Sequence, residues 1–161
     1  MTITIRRARP EDRATIRAFL DALQEHERGV DPSKLTAAEA TPAYLAETEA
    51  EVAAKDGAFF IAEQDGRPVG FTGCWRDHDS DVSIKAEWQD FGYVSDIYLA
   101  PEARGQGIAR RLYQACEDHC AALGLKRMRI RAINRNGIAM ASHQKFGFAP
   151  LYTVFDKPIG R

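Results

Sequence analysis

The chain has 161 residues, enough for one domain with a substantial core and too few for two. Apolar residues at 45%, charged residues at 28% and a net charge of -1 describe a globular protein with no electrostatic pull toward nucleic acid or an anionic membrane. Cys74, Cys116 and Cys120 form neither a disulfide framework nor a metal-ligand spacing, and no apolar run marks a signal peptide or a bilayer span, so a cytoplasmic protein without a metal is expected.

Ile3 and Ile5 alternate with Thr4 and Arg6, which predicts a first strand over residues 2–7. Pro10-Glu11-Asp12 suits a helix start, and Ile16, Phe19, Leu20 and Leu23 recur at helical spacing, so a helix is expected over 11–27. It would carry Glu25-His26-Glu27-Arg28 at its end and stop at Gly29. Thr41-Pro42 has the form of an N-cap with proline at N1, opening a second helix over 42–55 with Tyr44, Leu45, Thr48 and Val52 on its buried stripe. Phe59 to Ala62 is a strand, Asp65-Gly66 a hairpin turn, and Pro68 to Trp75 the returning strand. Residues 77–90 have no period and read as a loop, with Trp88 and Phe91 near its end; a length of this kind suits a lid or a partner contact.

Tyr93 to Leu99 is the best-marked strand, and Pro101 ends its pairing because proline has no N–H to donate. Arg104-Gly105-Gln106-Gly107-Ile108-Ala109 follows and runs straight into a helix marked by Ile108, Leu112, Ala115, Cys116, Ala122 and Leu123 and closed by Gly124. A strand, a glycine turn and a helix start aim several backbone N–H groups at one place, and glycine lets a phosphate come close. This is a pyrophosphate cradle or an ordinary glycine-rich turn. A Walker loop is disfavoured because Ile108 follows Gly107, and the dinucleotide fingerprint fails at Arg110. Residues 127–132 then form a strand that should lie parallel beside the central one, with Arg127, Arg129 and Arg131 on one face. Those arginines point to solvent or a subunit interface, or to a ligand phosphate. A short helix over 138–145 and a closing strand over 148–157 complete the chain.

Arg-x-x-Gly-x-Ala at Arg104–Ala109 resembles the acetyl-coenzyme A binding motif of the GNAT superfamily of N-acetyltransferases. A second match follows one helix and one strand later, in Asn136, Ala139, His143, Lys145 and Gly147-Phe148. The resemblance covers nearly the whole chain. It implies a single α/β domain of the α+β type over residues 1–161, with a mixed central sheet and splayed parallel strands flanked by helices. Acetyl-CoA would be the cosubstrate, lying between the strands 93–99 and 127–132. By the same resemblance the backbone of Ile97 and Leu99 would pair with the pantetheine arm. Amides of Arg104, Gly105, Gln106, Gly107, Ile108 and Ala109 would hold the pyrophosphate, with Asn136, His143 and Lys145 on the other side. An N–H near Tyr98 or Leu99 would polarise the thioester.

The resemblance implies direct attack by an amine, which must lose a proton while the departing thiolate gains one. Many relatives carry a tyrosine acid in the short helix; here His143 stands there and either donates the proton or merely packs beside the coenzyme. Tyr152 and Tyr98 are substitute acids. Asp96 is the expected base, with a hydrogen-bonded structural carboxylate as its alternative and with Glu25 and Glu27 acting through water as further candidates. Glu25, Glu27, Trp75, Trp88 and Asp96 would meet the acceptor. The acceptor expected is a primary amine of a polyamine-like or amino-acid-like small molecule, with a peptide N-terminus as rival. Relatives of this kind are often homodimers. A non-catalytic acyl-CoA sensor, or a phosphate-ligand module unrelated to acyl transfer, are the alternatives from other classes.

Overall fold

The computed structural model describes residues 1–160. One five-stranded sheet runs in chain order: β1 (Ile3–Arg7), β2 (Ala58–Gln64), β3 (Arg67–His78), β4 (Asp90–Leu99) and β5 (Met128–Ile130). The first four strands are antiparallel neighbours and β5 is parallel to β4. Asp65 and Gly66 join β2 to β3 with φ of 49° and 79°; two left-handed residues give the turn whose twist matches the strands it joins. No helix among the described residues is long and apolar enough to cross a membrane.

Helices cover both faces. On one face α1 (Arg13–Val30) and α2 (Ala37–Ala54) bury Ile16, Leu20 and Leu45 against Ile61 and Phe71, and Phe19 stacks on Phe71 at 6.0 Å. On the other, α3 (Ile108–Ala122) buries Ile108 and Leu112 against Ala62 and Val69, and Cys116 and Cys120 against Cys74 and Val94. The three free thiols are therefore core residues, which suits cysteine as a small apolar side chain. A fourth helix, α4 (Gly137–Phe146), packs on α3 through Phe146, whose ring lies 4.7 Å from Tyr113.

Several boundaries differ from the sequence expectation. The first helix passes through Gly29 and stops at Val30, because Pro32 disfavours helical dihedrals at the residue before it. The second begins at Ala37 rather than 42: the Glu39 carboxylate accepts from the Thr36 N–H at 3.1 Å and from its hydroxyl at 2.6 Å, which satisfies the helix entrance, and Pro42 lies inside the helix. β3 and β4 each extend into the expected loop, leaving residues 79–89 between them. That segment is strapped to β5: Arg129 pairs with Asp79 at 2.5 Å, Arg127 donates to the Trp88 carbonyl, and the Arg129 guanidinium lies 4.2 Å from the Phe91 ring centre. The arginine face thus finds acidic and aromatic partners within the chain. β5 itself is three residues long, not the six expected. The expected closing strand over 148–157 is absent: residues 147–160 are without regular structure, and residues 149–160 are exposed. Pro150 and Pro158 each remove a ladder donor, and β5 offers only a short edge to pair with.

Two outcomes test this packing. A Cβ at Gly92 would lie 2.3 Å from the Cys120 sulfur and 3.1 Å from its Cβ. Gly92→Ala is expected to lower stability by about 1–3 kcal/mol in urea unfolding, and a Gly92→Ala/Cys120→Ala double variant to lose less than the sum of the singles. Near the N-terminus, Arg6 donates to both Asp12 oxygens at 2.7 and 2.8 Å and holds that carboxyl down to about 2. A depressed folded-state value contributes stability above the unfolded value of 3.8 and loses it as pH falls toward about 2. Asp12→Asn should therefore melt lower than the parent at pH 7, with the difference closing over that acid window.

Candidate active site

The site begins where two strands part. β4 pairs with β5 at Gly92–Met128, Tyr93–Arg129 and Val94–Ile130, and the pairing stops there, leaving Ser95 to Leu99 with a free edge. On its other side β4 is bulged: Thr72 faces Ile97 and Cys74 faces Val94, so Gly73 alone opposes both Ser95 and Asp96. The Thr72 hydroxyl donates to the Asp96 carbonyl at 2.7 Å and pins the extra residue. A Cβ on Gly73 would meet the Phe59 ring and the Ser95 hydroxyl oxygen at 2.8 Å, so the close approach needs glycine. Beyond the bulge the Ala100 N–H donates back to Val69 at 2.8 Å. Alternation along the strand then turns the N–H groups of Ile97 and Leu99 outward, onto the free edge. Arg104 donates to the Leu99 carbonyl at 3.1 Å.

The chain leaves this edge through a single turn, Pro101–Ala103, and enters α3 through two left-handed glycines, Gly105 and Gly107, both at φ of 76°. Open space surrounds the position of a Cβ at each, so dihedral angle and not crowding selects glycine. Ala103 and Ile108, both fully buried, anchor the turn from beneath. Arg104 N–H is used by Pro101 and Arg111 N–H by Gly107; the amides between them make no turn or cap bond among the described residues. Gly107 is also the N-cap of α3, so no side chain competes for those donors. The free edge and the free amides thus lie on the two sides of one short turn.

Asp96 rises from the bulge on the α1–α2 face and is buried. The Tyr44 hydroxyl, from α2, lies 3.1 and 3.0 Å from its two oxygens. Burial pushes the carboxyl up to about 6, opposed by hydrogen bonds from Ser95 and Tyr44; nearby Glu27 adds to the rise and Lys34 counters it. The two other expected acids separate here. Glu25 accepts from the Ala37 N–H at 2.7 Å and from Arg28 at 2.9 Å, so it caps α2, whereas Glu27 pairs with Lys34 at 2.5 Å near Asp96. Trp75 is buried against Tyr93 at 5.2 Å, Tyr98 packs on Phe19 at 5.3 Å, and Trp88 sits half-exposed on the strap.

His143 is buried on α4 with Nδ1 2.6 Å from the Tyr113 hydroxyl. Burial raises Tyr113 to about 12 and lowers His143. Near neutrality tyrosine therefore keeps and donates its proton, Nδ1 accepts, and the histidine is neutral with its proton on Nε2. Asn136 caps α4 by accepting from the Ala139 N–H at 3.2 Å, and Lys145 is exposed on the same helix. Tyr152 is 70% exposed on the terminal segment, apart from the strand-and-helix framework that carries the other candidates. Sequence reasoning missed Tyr44 and Tyr113, whose partners lie 52 and 30 residues away. A separate cavity of about 360 Å³ between Arg9, Arg13, Val52 and Phe59 shares no residue with this cleft.

A strand pair opened beside a glycine-lined helix start defines the class of acetyl-CoA-dependent N-acetyltransferases. Residues 18–148 match the acetyltransferase (GNAT) family, and the chain belongs to it. Over 146 residues it is 27% identical to the uncharacterized N-acetyltransferase YhfO of Bacillus subtilis, covering 91% of this chain and 89% of that one. It is 32% identical over 93 residues to the mycothiol acetyltransferase of Thermobispora bispora, covering 56% of this chain and 29% of that longer one. In fold it is similar to AAC(6')-Iy in complex with the bisubstrate analogue CoA-S-monomethyl-acetylneamine, with a TM-score of 0.73, 22% identity and full coverage of both chains. A GCN5-related N-acetyltransferase from Ralstonia eutropha superposes with a TM-score of 0.78 at 19% identity, over 98% of this chain and 99% of that one.

The tautomer can be checked directly. Nitrogen-15 spectra should show His143 as the neutral Nε2–H form at pH 7, titrating below 6.5. Tyr113→Phe removes the donor to Nδ1, and the midpoint should then move upward.

Proposed function

We propose that the chain transfers an acetyl group from acetyl-CoA to the primary amine of a small cationic molecule, by direct attack, with Asp96 as the base. The observation that carries this is a buried carboxylate, raised to about 6, standing on the bulge where β4 parts from β5. A carboxylate at that value is ionised at neutral pH and still basic enough to take a proton as the amine attacks. Glu27 beside it, with the aromatic rings of Tyr44, Tyr93 and Tyr98 on the same face, suits a positively charged acceptor. Among the fold neighbours, AAC(6')-Iy is described as an aminoglycoside N-acetyltransferase, an amine substrate of that kind.

The remaining roles follow from the donors available. Outward N–H groups of Ile97 and Leu99 would bind the pantetheine arm, and the amides of Gly105 to Ala109 its diphosphate, the Arg104 N–H being taken by the Pro101 carbonyl. The coenzyme supplies the activated acetyl group. The expected donor near Tyr98 or Leu99 narrows to the outward Leu99 N–H, which would stabilise negative charge on the thioester oxygen, since the Tyr98 N–H faces β3. Asn136 and Lys145 flank the arm from α4. His143, neutral and held by Tyr113, would offer Nε2–H to the departing sulfur as a hydrogen bond.

A thiol-release screen with acetyl-CoA against diamines, aminoglycosides, amino acids and peptides tests the assignment; release with small amines is expected, and release with none of them would overturn it. The rate of the best amine should fall as pH drops through about 6, because the base is then protonated. Asp96→Asn should cost on the order of 100-fold or more in kcat/KM. Gly107→Ala, forced into a left-handed dihedral, should weaken coenzyme A binding by roughly tenfold in calorimetric titration.

A further inference from the structure

Asp96 is one of two adjacent β4 residues, with Ser95, that share the single β3 residue Gly73 across the bulge. A bulge re-aims a side chain but leaves its torsions free, and a carboxylate used as a base must face the attacking nitrogen within hydrogen-bond reach. Something outside the strand has to hold it. The groups around Asp96 are these: Tyr44 from α2, Glu27 from α1, Lys34 from the connection after α1, Ser95 and Tyr93 from β4 itself, and Thr72 from β3. Thr72 is engaged with the Asp96 main chain, and Glu27 with Lys34. Of the neighbours on other elements, only the Tyr44 hydroxyl bonds the carboxylate itself, straddling both oxygens at 3.1 and 3.0 Å.

We propose that Tyr44 is the positioning residue of the acceptor site: its phenol, projected from α2, clamps the Asp96 carboxylate on the bulge and fixes the direction from which it takes the acceptor's proton. This rests on Asp96 acting as the base. Tyr44 is suited to the task because it holds its own proton, which burial and the adjacent carboxylate drive well above the usual tyrosine range, so it remains a donor while Asp96 is ionised. It is also half-exposed, so part of the residue stays open to solvent while its hydroxyl meets Asp96. The Thr48 hydroxyl donates to the Tyr44 carbonyl and ties the tyrosine's own backbone to the next turn of α2. Loss of the phenol hydroxyl removes a bond that favours the charged carboxylate, so the Asp96 midpoint must rise.

Tyr44→Phe keeps the ring and deletes the hydroxyl. In protein labelled with carbon-13 at the aspartate carboxyl, the signal missing from Asp96→Asn identifies Asp96. Its midpoint, near 6 in the parent, should rise by about one unit in Tyr44→Phe, a tenfold change in the proton affinity of that group. With acetyl-CoA and the amine that releases thiol fastest, the acid limb of kcat/KM should move by the same amount. The loss should approach tenfold at pH 5 and shrink toward pH 8.5. A carboxyl midpoint that does not move overturns the Tyr44 clamp while leaving Asp96 as the base. A midpoint that moves while the acid limb stays put overturns Asp96 as the base, and with it the positioning role.

Discussion

The architecture depends on one mismatch in a strand pair. Between Thr72 and Cys74 the third strand has one residue, and between Val94 and Ile97 the fourth has two. A bulge increases local twist and bends the strand that carries it. Here the bend falls where β4 loses contact with β5, so the backbone groups of its second half stay available and the extra residue is turned toward α1 and α2. Both parts of the proposed chemistry, an edge for an amide-rich arm and a carboxylate beside it, come from that single extra residue. Gly73 permits the close approach and the Thr72 hydroxyl secures it.

Charge in the molecule is arranged by how well each group is compensated. Asp12 faces a bidentate arginine and is held strongly acidic; Asp96 has neutral donors, a nearby acid and little solvent, and is raised. The first is a structural tie between the N-terminal strand and the turn before α1. The second costs stability when ionised, since burying a charge without a cation bonded directly to it is unfavourable, and that is what makes it a base near neutral pH. The last turns of α1 apply the same division within three residues: Glu25 caps the second helix, and Glu27 raises Asp96 while its own partner Lys34 counters that rise.

The short β5 has a comparable logic. Its Arg129 is flanked by Arg127 and Arg131, and the segment after β3 folds over this face so that Asp79 and Trp88, with Phe91 at the start of β4, supply the partners that solvent or another subunit was expected to supply. A strand so occupied on one face, and only three residues long, presents little edge for a further strand, and the C-terminal residues accordingly run on unpaired.

The sequence by itself determined the local devices. Alternation marked the first and last strands of the sheet, Asp65-Gly66 marked the hairpin, and the glycine turn before Ile108 could be read as a candidate phosphate cradle because strand, turn and helix start are contiguous. Their causes are dihedral preference and spacing, which act over a few residues. Asp96 was legible as a candidate for the same reason, by its place on the central strand. Tertiary structure alone decided its partner Tyr44, the pairing of His143 with Tyr113, and which of Glu25 and Glu27 faces the cleft, because a hydrogen bond between residues 52 apart leaves no periodic trace in either segment. The helix starts and the lost final strand belong to the same category: whether Thr36 or Thr41 caps, and whether a tail finds an edge, depends on which backbone groups the assembled sheet leaves free.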